Sequence, residues 1–370
     1  MGRLMMAREA MVPALAKKAF KDLLARTKPA VEARMGELFD ERLRARKSNG
    51  REVTQIVRVA KDVSLRGGKR FRAALLASAF FGANPRGRVD VAVAGGVALE
   101  MLQSYLLIQD DWMDGDVERR GGPSAHVWLA NALGKGPLPP EQAGAIGAIL
   151  ASDLTWGLAI EALGAAKTDP VVRAKAVLEL VKIHEDVVAG QVLDTLAKKA
   201  DVELLHDLKT GSYTVRGPLA LGAILGGGRR SALTALAKYA EPLGVAFQLR
   251  DDLLGVFGSE EESGRPAGSD LMAGRRSAVL RHALPRLRGD AKRAVEAVWA
   301  RRAAPKARVA AAIRAVEATG AREEVEKRLA ALCTTAEKRA STLPLASRAR
   351  AELFGASLAI RVGPGGREAR

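Results

Sequence analysis

Apolar residues in this chain recur at spacings of three and four almost from end to end, and that period restricts it to an all-helical fold. Val31, Met35, Leu38, Phe39 and Leu43 form one such face, the stripe that a helix turns toward a core. Comparable faces run through residues 91–108, 143–163, 171–196, 202–224, 232–256, 277–287 and 307–339. No window alternates long enough to specify a strand. Turn signals separate the faces at Asn49-Gly50, Gly67-Gly68, Asn84-Pro85, Gly134–Pro140, Asp169-Pro170, Gly226–Gly228 and Gly264–Gly268. The pattern predicts a single-domain, all-α bundle of roughly a dozen helices. Residues 1–30 read as a basic amphipathic extension, 31–361 as the bundle itself, and 362–370 as a disordered tail.

Composition narrows the function classes. Lys and Arg number 59 against 42 Asp and Glu, a net charge of +17. The basic residues are spread along the chain with no aromatic-interleaved patch, which argues for an anionic small-molecule substrate and against nucleic acid. Uncharged stretches such as Gly217–Gly228 fall short of the ~18–20 apolar residues of a spanning helix. Arg8, Glu9, Lys17 and Lys18 interrupt the N-terminus before any secretory core can form. Cys333 is the single cysteine, so a disulfide framework or Cys-based metal site is excluded and a cytoplasmic location is expected.

Two acidic clusters carry the chemistry. Asp110-Asp111-Trp112-Met113-Asp114 ends an apolar helix, and positions i and i+4 put Asp110 and Asp114 on one face with Asp111 beside them. Carboxylates crowded in this way raise one another's pKa unless a cation offsets them. Asp251-Asp252 sits inside a second apolar helix, with Gln248 one turn earlier on the face of Asp251. Two such pairs suit Mg2+, which takes oxygen ligands and bridges to phosphates; solvated helix ends are the plain alternative. Cationic motifs shift the balance. Gly67-Gly68-Lys69-Arg70-Phe71-Arg72 opens a helix, Arg119-Arg120 follows the first cluster, and Lys209-Thr210 lies mid-helix. Gly264–Asp270 and Gly274-Arg275-Arg276 make a basic loop after the second cluster. Arginine grips phosphate through two donors and lysine acts as a point charge.

These motifs stand in a recognisable order: Gly67–Arg72, Asp110–Asp114 with Arg119-Arg120, Gly190-Gln191 through Asp194, Lys209-Thr210, Gln248–Asp252, and Gly264–Arg275. From about residue 30 to about 360 the chain resembles the trans-polyprenyl diphosphate synthases, the polyprenyl synthetase family, and most of all its geranylgeranyl members. The resemblance implies an isoprenoid-synthase bundle around a central cavity, a homodimer, and three Mg2+ ions. The implied substrates are isopentenyl diphosphate and an allylic diphosphate, joined after the allylic C–O bond ionises. By the same resemblance Asp110, Asp114 and Asp251 hold metal, with Asp111 and Asp252 completing the catalytic clusters. Arg119, Lys209, Thr210, Gln248, Arg265 and Arg275 would contact the allylic diphosphate. Lys69, Arg72, Arg120 and Gln103 would hold isopentenyl diphosphate.

Some positions depart from the family's pattern. Gln103 stands where histidine is common, Gly255 where many members have a third aspartate, and Ala73 where proline is usual. Arg265 and Arg275 replace lysines, which keeps charge and changes shape. A terpene cyclase would need no second diphosphate site, and a regulatory subunit would have eroded aspartates; neither fits these residues. Tyr105 lies five residues before Asp110, about 7.5 Å deeper along the helix, where its ring would floor the product cavity. With Leu106 next to it, this resembles the geranylgeranyl (C20) pattern, and a farnesyl (C15) product is the alternative. His126, His184, His206 and His282 are scattered and read as structural.

Overall fold

Long helices realise the three-and-four period. The computed structural model describes residues 11–196, 204, 207–263, 265–275, 277–301 and 304–366, with backbone only for Lys209, Thr210 and Pro364. The first half comprises α1 (Pro13–Ala45), α2 (Arg51–Leu65), α3 (Phe71–Ala83), α4 (Val89–Asp114), α5 (Ala125–Leu133), α6 (Pro140–Gly164) and α7 (Pro170–Leu196). A π-helical turn, Asp207–Arg216, then runs into α8 (Gly217–Leu225) and α9 (Arg230–Phe257). Short helices α10 (Glu260–Ser263), α11 (Ser269–Ala273), α12 (Ala278–Ala283) and α13 (Gly289–Glu296) lead to α14 (Lys306–Glu317), α15 (Ala321–Ala340) and α16 (Ser347–Ile360).

The core lies in two adjoining parts. One gathers α1–α4, α6 and α7 around Phe39, Leu76, Leu99, Met101 and Ile108. The other packs α9 against the C-terminal helices around Tyr239, Leu253, Val316 and Leu353. Gly222 lets α8 approach α3 closely, since a Cβ there would sit 2.2 Å from the Leu76 carbonyl oxygen. Helices α4 and α6 are long and apolar enough to cross a bilayer by length and composition. Burial among the other helices accounts for the composition of α4, whose 18-residue apolar window is 72% buried.

The chain departs from the sequence reading in five places. Helix α1 runs unbroken through residue 30, and Phe20 and Leu23 are buried in the core, so no boundary falls there. Residues 307–339 form two helices, because Gly320 adopts φ 75° between them. Residues 202–224 are not one α-helix among the described residues; Asp207–Arg216 is wound as a π-helix, a form frequent at functional sites. A two-residue hairpin pairs Glu118–Arg119 (β1) with Gly122–Pro123 (β2). Its central residues Arg120 and Gly121 both have positive φ, 52° and 73°, as a type I′ turn requires. At the C-terminus, Val362 and Gly365 are hydrogen-bonded to Arg250 and Glu262, so 362–366 is anchored where a tail was expected.

Candidate active site

In the first cluster the three aspartates do not share one environment. Asp110 and Asp114 are partly exposed, whereas Asp111 turns inward and is fully buried. Its Oδ1 accepts from Nε of Arg119 at 2.8 Å and also from Nη2. Burial pushes the Asp111 carboxyl upward while Arg119 pulls it back. The hairpin supplies Arg119, so Asp111 fixes the hairpin against the end of α4. The expected crowding of three carboxylates is thereby replaced by a buried ion pair and two outward acids.

The second cluster divides in the same way. Asp252 is buried, accepting from the Ala278 N–H at 2.6 Å and from Nε2 of Gln248 at 2.7 Å. Gln248 therefore bonds Asp252, one full turn on. Asp251 faces outward, yet desolvation by the surrounding chain, with Asp252 adding to it, pushes its carboxyl up to about 6. Arg72 and Arg265 are among the charges that act on it.

The basic loop joins the two clusters. Arg275 pairs with Asp114 and lies 3.9 Å from Asp270, while Arg265 lies 3.5 Å from Asp116. Arg275 also acts electrostatically on Asp252 and on Asp110. Asp270, which the sequence reading included in the basic loop without a role of its own, is buried with its carboxyl up at about 6. Its carboxylate fills the space beside Gly255, where a Cβ would meet Oδ2 at 2.4 Å. The family's third aspartate is missing at a position where no side chain fits.

Guanidiniums crowd the opposite side. Arg72 donates to Thr214 Oγ1 at 2.9 Å and lies 4.3 Å over the Tyr213 ring. Burial and the neighbouring Arg70, Arg119 and Arg72 push Arg120 below the usual arginine range. An anion placed among them would relieve that repulsion. Arg70 is taken up inside the fold by Glu32 and Glu100, and Lys69 is exposed at the glycine turn. The side chains of Lys209 and Thr210 lie outside the described residues, as does His206. Arg66 ties the hairpin down, donating to the carbonyls of Arg119 at 2.8 Å and Pro123 at 3.1 Å, while Arg120 donates back to the Arg66 carbonyl at 2.8 Å. No sequence motif pointed to that lock.

Below the acids a cavity of about 190 Å3 descends between α4 and α7, lined by Asp110, Gln191, Val187, Val188, Leu106 and Tyr105 among others. Gln191 marks its mouth, with Nε2 3.4 Å from Asp110 Oδ1. Gln103 also lines it, and among the described residues its buried Oε1 has no partner, nor has Nε of Arg72. A separate hollow of about 360 Å3 around His282 and Glu324 contains none of the predicted metal- or diphosphate-binding residues.

Do these residues fit Mg2+? Among the described residues no three acids or imidazoles converge tightly enough to cage an ion. The donors at the mouth are carboxylate oxygens, and Mg2+ is held by one or two of these plus phosphates and water. The donor set fits that mode. A charged mouth over an apolar shaft, set in this bundle, defines the isoprenoid synthase class of helical proteins. Residues 53–316 match the polyprenyl synthetase family model. The chain belongs to the polyprenyl synthetase family and is a prenyltransferase. It is 33% identical over 262 residues to a short chain isoprenyl diphosphate synthase of Methanothermobacter thermautotrophicus, covering 68% of this chain and 73% of that one. A geranylgeranyl diphosphate synthase of Methanosarcina mazei is 34% identical, covering 58% of this chain and 63% of that one. In structure it is similar to geranylgeranyl pyrophosphate synthase of Corynebacterium glutamicum, complexed with isoprenyl diphosphate and magnesium. That match has a TM-score of 0.83 at 29% identity, over 91% of this chain and 98% of that one.

Proposed function

We propose that this enzyme condenses isopentenyl diphosphate with an allylic diphosphate and releases geranylgeranyl diphosphate (C20). The cavity carries this reading: Asp110 stands at its mouth with the Asp114–Arg275 pair one helical turn away, Arg72 lies over the Tyr213 ring that also lines it, and Val187, Val188 and Leu106 line the shaft below. Such a site suits a molecule with an anionic head and a hydrocarbon tail. Asp110, Asp114 and Asp251 would hold Mg2+, which when bound supplies positive charge to the departing pyrophosphate. Arg119, Arg265 and Arg275, with Lys209, Thr210 and Gln248, steady the allylic diphosphate. Lys69, Arg72, Arg120 and Gln103 hold the second substrate so that its double bond faces the allylic carbon.

When the allylic C–O bond breaks, its electron pair leaves with pyrophosphate. The isopentenyl double bond then forms the new C–C bond to the allylic cation, and a proton departs to restore a double bond. The preorganised charges lower the barrier because the leaving group gains charge as the bond breaks. Tyr105 at the bottom of the lined shaft favours C20. A C15 product is the second reading, since a farnesyl diphosphate synthase of Geobacillus stearothermophilus is 35% identical over 219 residues.

Homodimerisation and a cytoplasmic location belong to the same reading. Ile146, Ile149 and Leu150 on α6 are exposed at 40%, 39% and 52%, an apolar face suited to a second copy. Incubation with Mg2+, isopentenyl diphosphate and C5, C10 or C15 allylic primers, followed by sizing of the dephosphorylated products, tests the function. A dominant C20 alcohol is expected. A dominant C15 alcohol overturns the length assignment, and no product with any primer overturns the activity.

A further inference from the structure

The Tyr105 ring that lines the shaft is backed by two further rings. His184, on α7 one turn below Val187 and Val188, meets Tyr105 edge-on, with centroids 5.1 Å apart and planes at 66°. Trp156, on α6, stacks on His184 at 4.2 Å and 23° and lies 6.1 Å from Tyr105. Three helices thus supply one ring each. Gln191 and Asp110 are in contact at the mouth, so both helices can be measured from one level. Tyr105 is five residues below Asp110 and His184 seven below Gln191, which sets His184 about 3 Å deeper at ~1.5 Å per residue.

Among the described residues the buried Nε2 of His184 has no partner, a costly state for a polar group, and burial lowers the ring's pKa. What the neutral ring supplies is a flat surface packed on Trp156. Tyr105, by contrast, is only half-buried, and removing it would leave that stack intact.

We propose that product length is limited by a two-layer floor: Tyr105 is the first stop, and the His184–Trp156 stack packed against it, with His184 about 3 Å deeper, is the second. This rests on the prenyl-transfer reading above. Wild type, Tyr105→Ala, Tyr105→Ala/His184→Ala and Tyr105→Ala/His184→Phe are each incubated with Mg2+, isopentenyl diphosphate and a C15 primer, and the products are sized. Tyr105→Ala should lengthen the product by one C5 unit and stop there. The alanine pair should add at least one further unit, and His184→Phe should return the limit to that of Tyr105→Ala alone. Tyr105→Ala/Trp156→Leu, which removes the other half of the stack, should match the alanine pair and serves if that pair does not fold. Equal product lengths for Tyr105→Ala and both double variants overturn the second layer while leaving the activity standing. No product from wild type overturns the activity and the floor with it.

Discussion

At the residue scale, each acidic pair splits its labour. The first aspartate of each pair faces the hollow, and the second is spent inside the fold. Exchanging Asp251 for Asn should lower kcat about 10²–10³-fold with the melting temperature nearly unchanged. Exchanging Asp252 for Ala leaves the Ala278 N–H and Gln248 without their acceptor, so stability should fall by about 1–3 kcal/mol in thermal melts. Similar stability losses for both variants would contradict the division. Arg66→Ala should raise KM for isopentenyl diphosphate roughly tenfold with less effect on kcat, because two charge-assisted bonds to the hairpin are lost; an unchanged KM would show that the hairpin holds itself. Asp110 and Asp251 were legible in the sequence because helical spacing alone sets their neighbours. The inward turn of Asp111 and Asp252 was not, since it depends on Arg119 in a hairpin and on Ala278 in a different helix. Arg66 and His184 escaped for the same reason: their partners are distant in the chain.

At the scale of elements, apolar period gave the long helices, because burial of one stripe decides them. It missed the hairpin, whose strands are two residues each and whose turn carries Arg120 at a position usually given to Asn or Gly. The approach of α9 to α11 was also invisible. There Gly255 admits the Asp270 carboxylate, and restoring the family's aspartate with Gly255→Asp should push the basic loop away. Activity should fall at least tenfold, and in the background of Asp270→Gly much of it should return. Full activity of Gly255→Asp alone would show that the loop yields without cost.

For the whole molecule, the two acids with raised carboxyls link stability to pH. Asp251 and Asp270 have carboxyls raised to about 6, so the folded chain binds their protons more tightly than the unfolded chain does. Their contribution is complete below the ordinary aspartate range and is lost as pH rises through about 6. For Asp270 it amounts to about 3 kcal/mol at most. Without divalent ions the melting temperature should therefore fall between about pH 4 and pH 7, and Asp270→Asn should flatten that fall. A wild-type curve that rises across the interval would contradict the assignment.

Pyrophosphate binding measured by titration calorimetry, with and without Mg2+, probes the shared hollow itself. Wild type should bind pyrophosphate tightly only with Mg2+, and Asp110→Asn and Asp251→Asn should each weaken it by at least tenfold. Tight binding that survives both substitutions, or that ignores Mg2+, would mean the two clusters do not act on one anion.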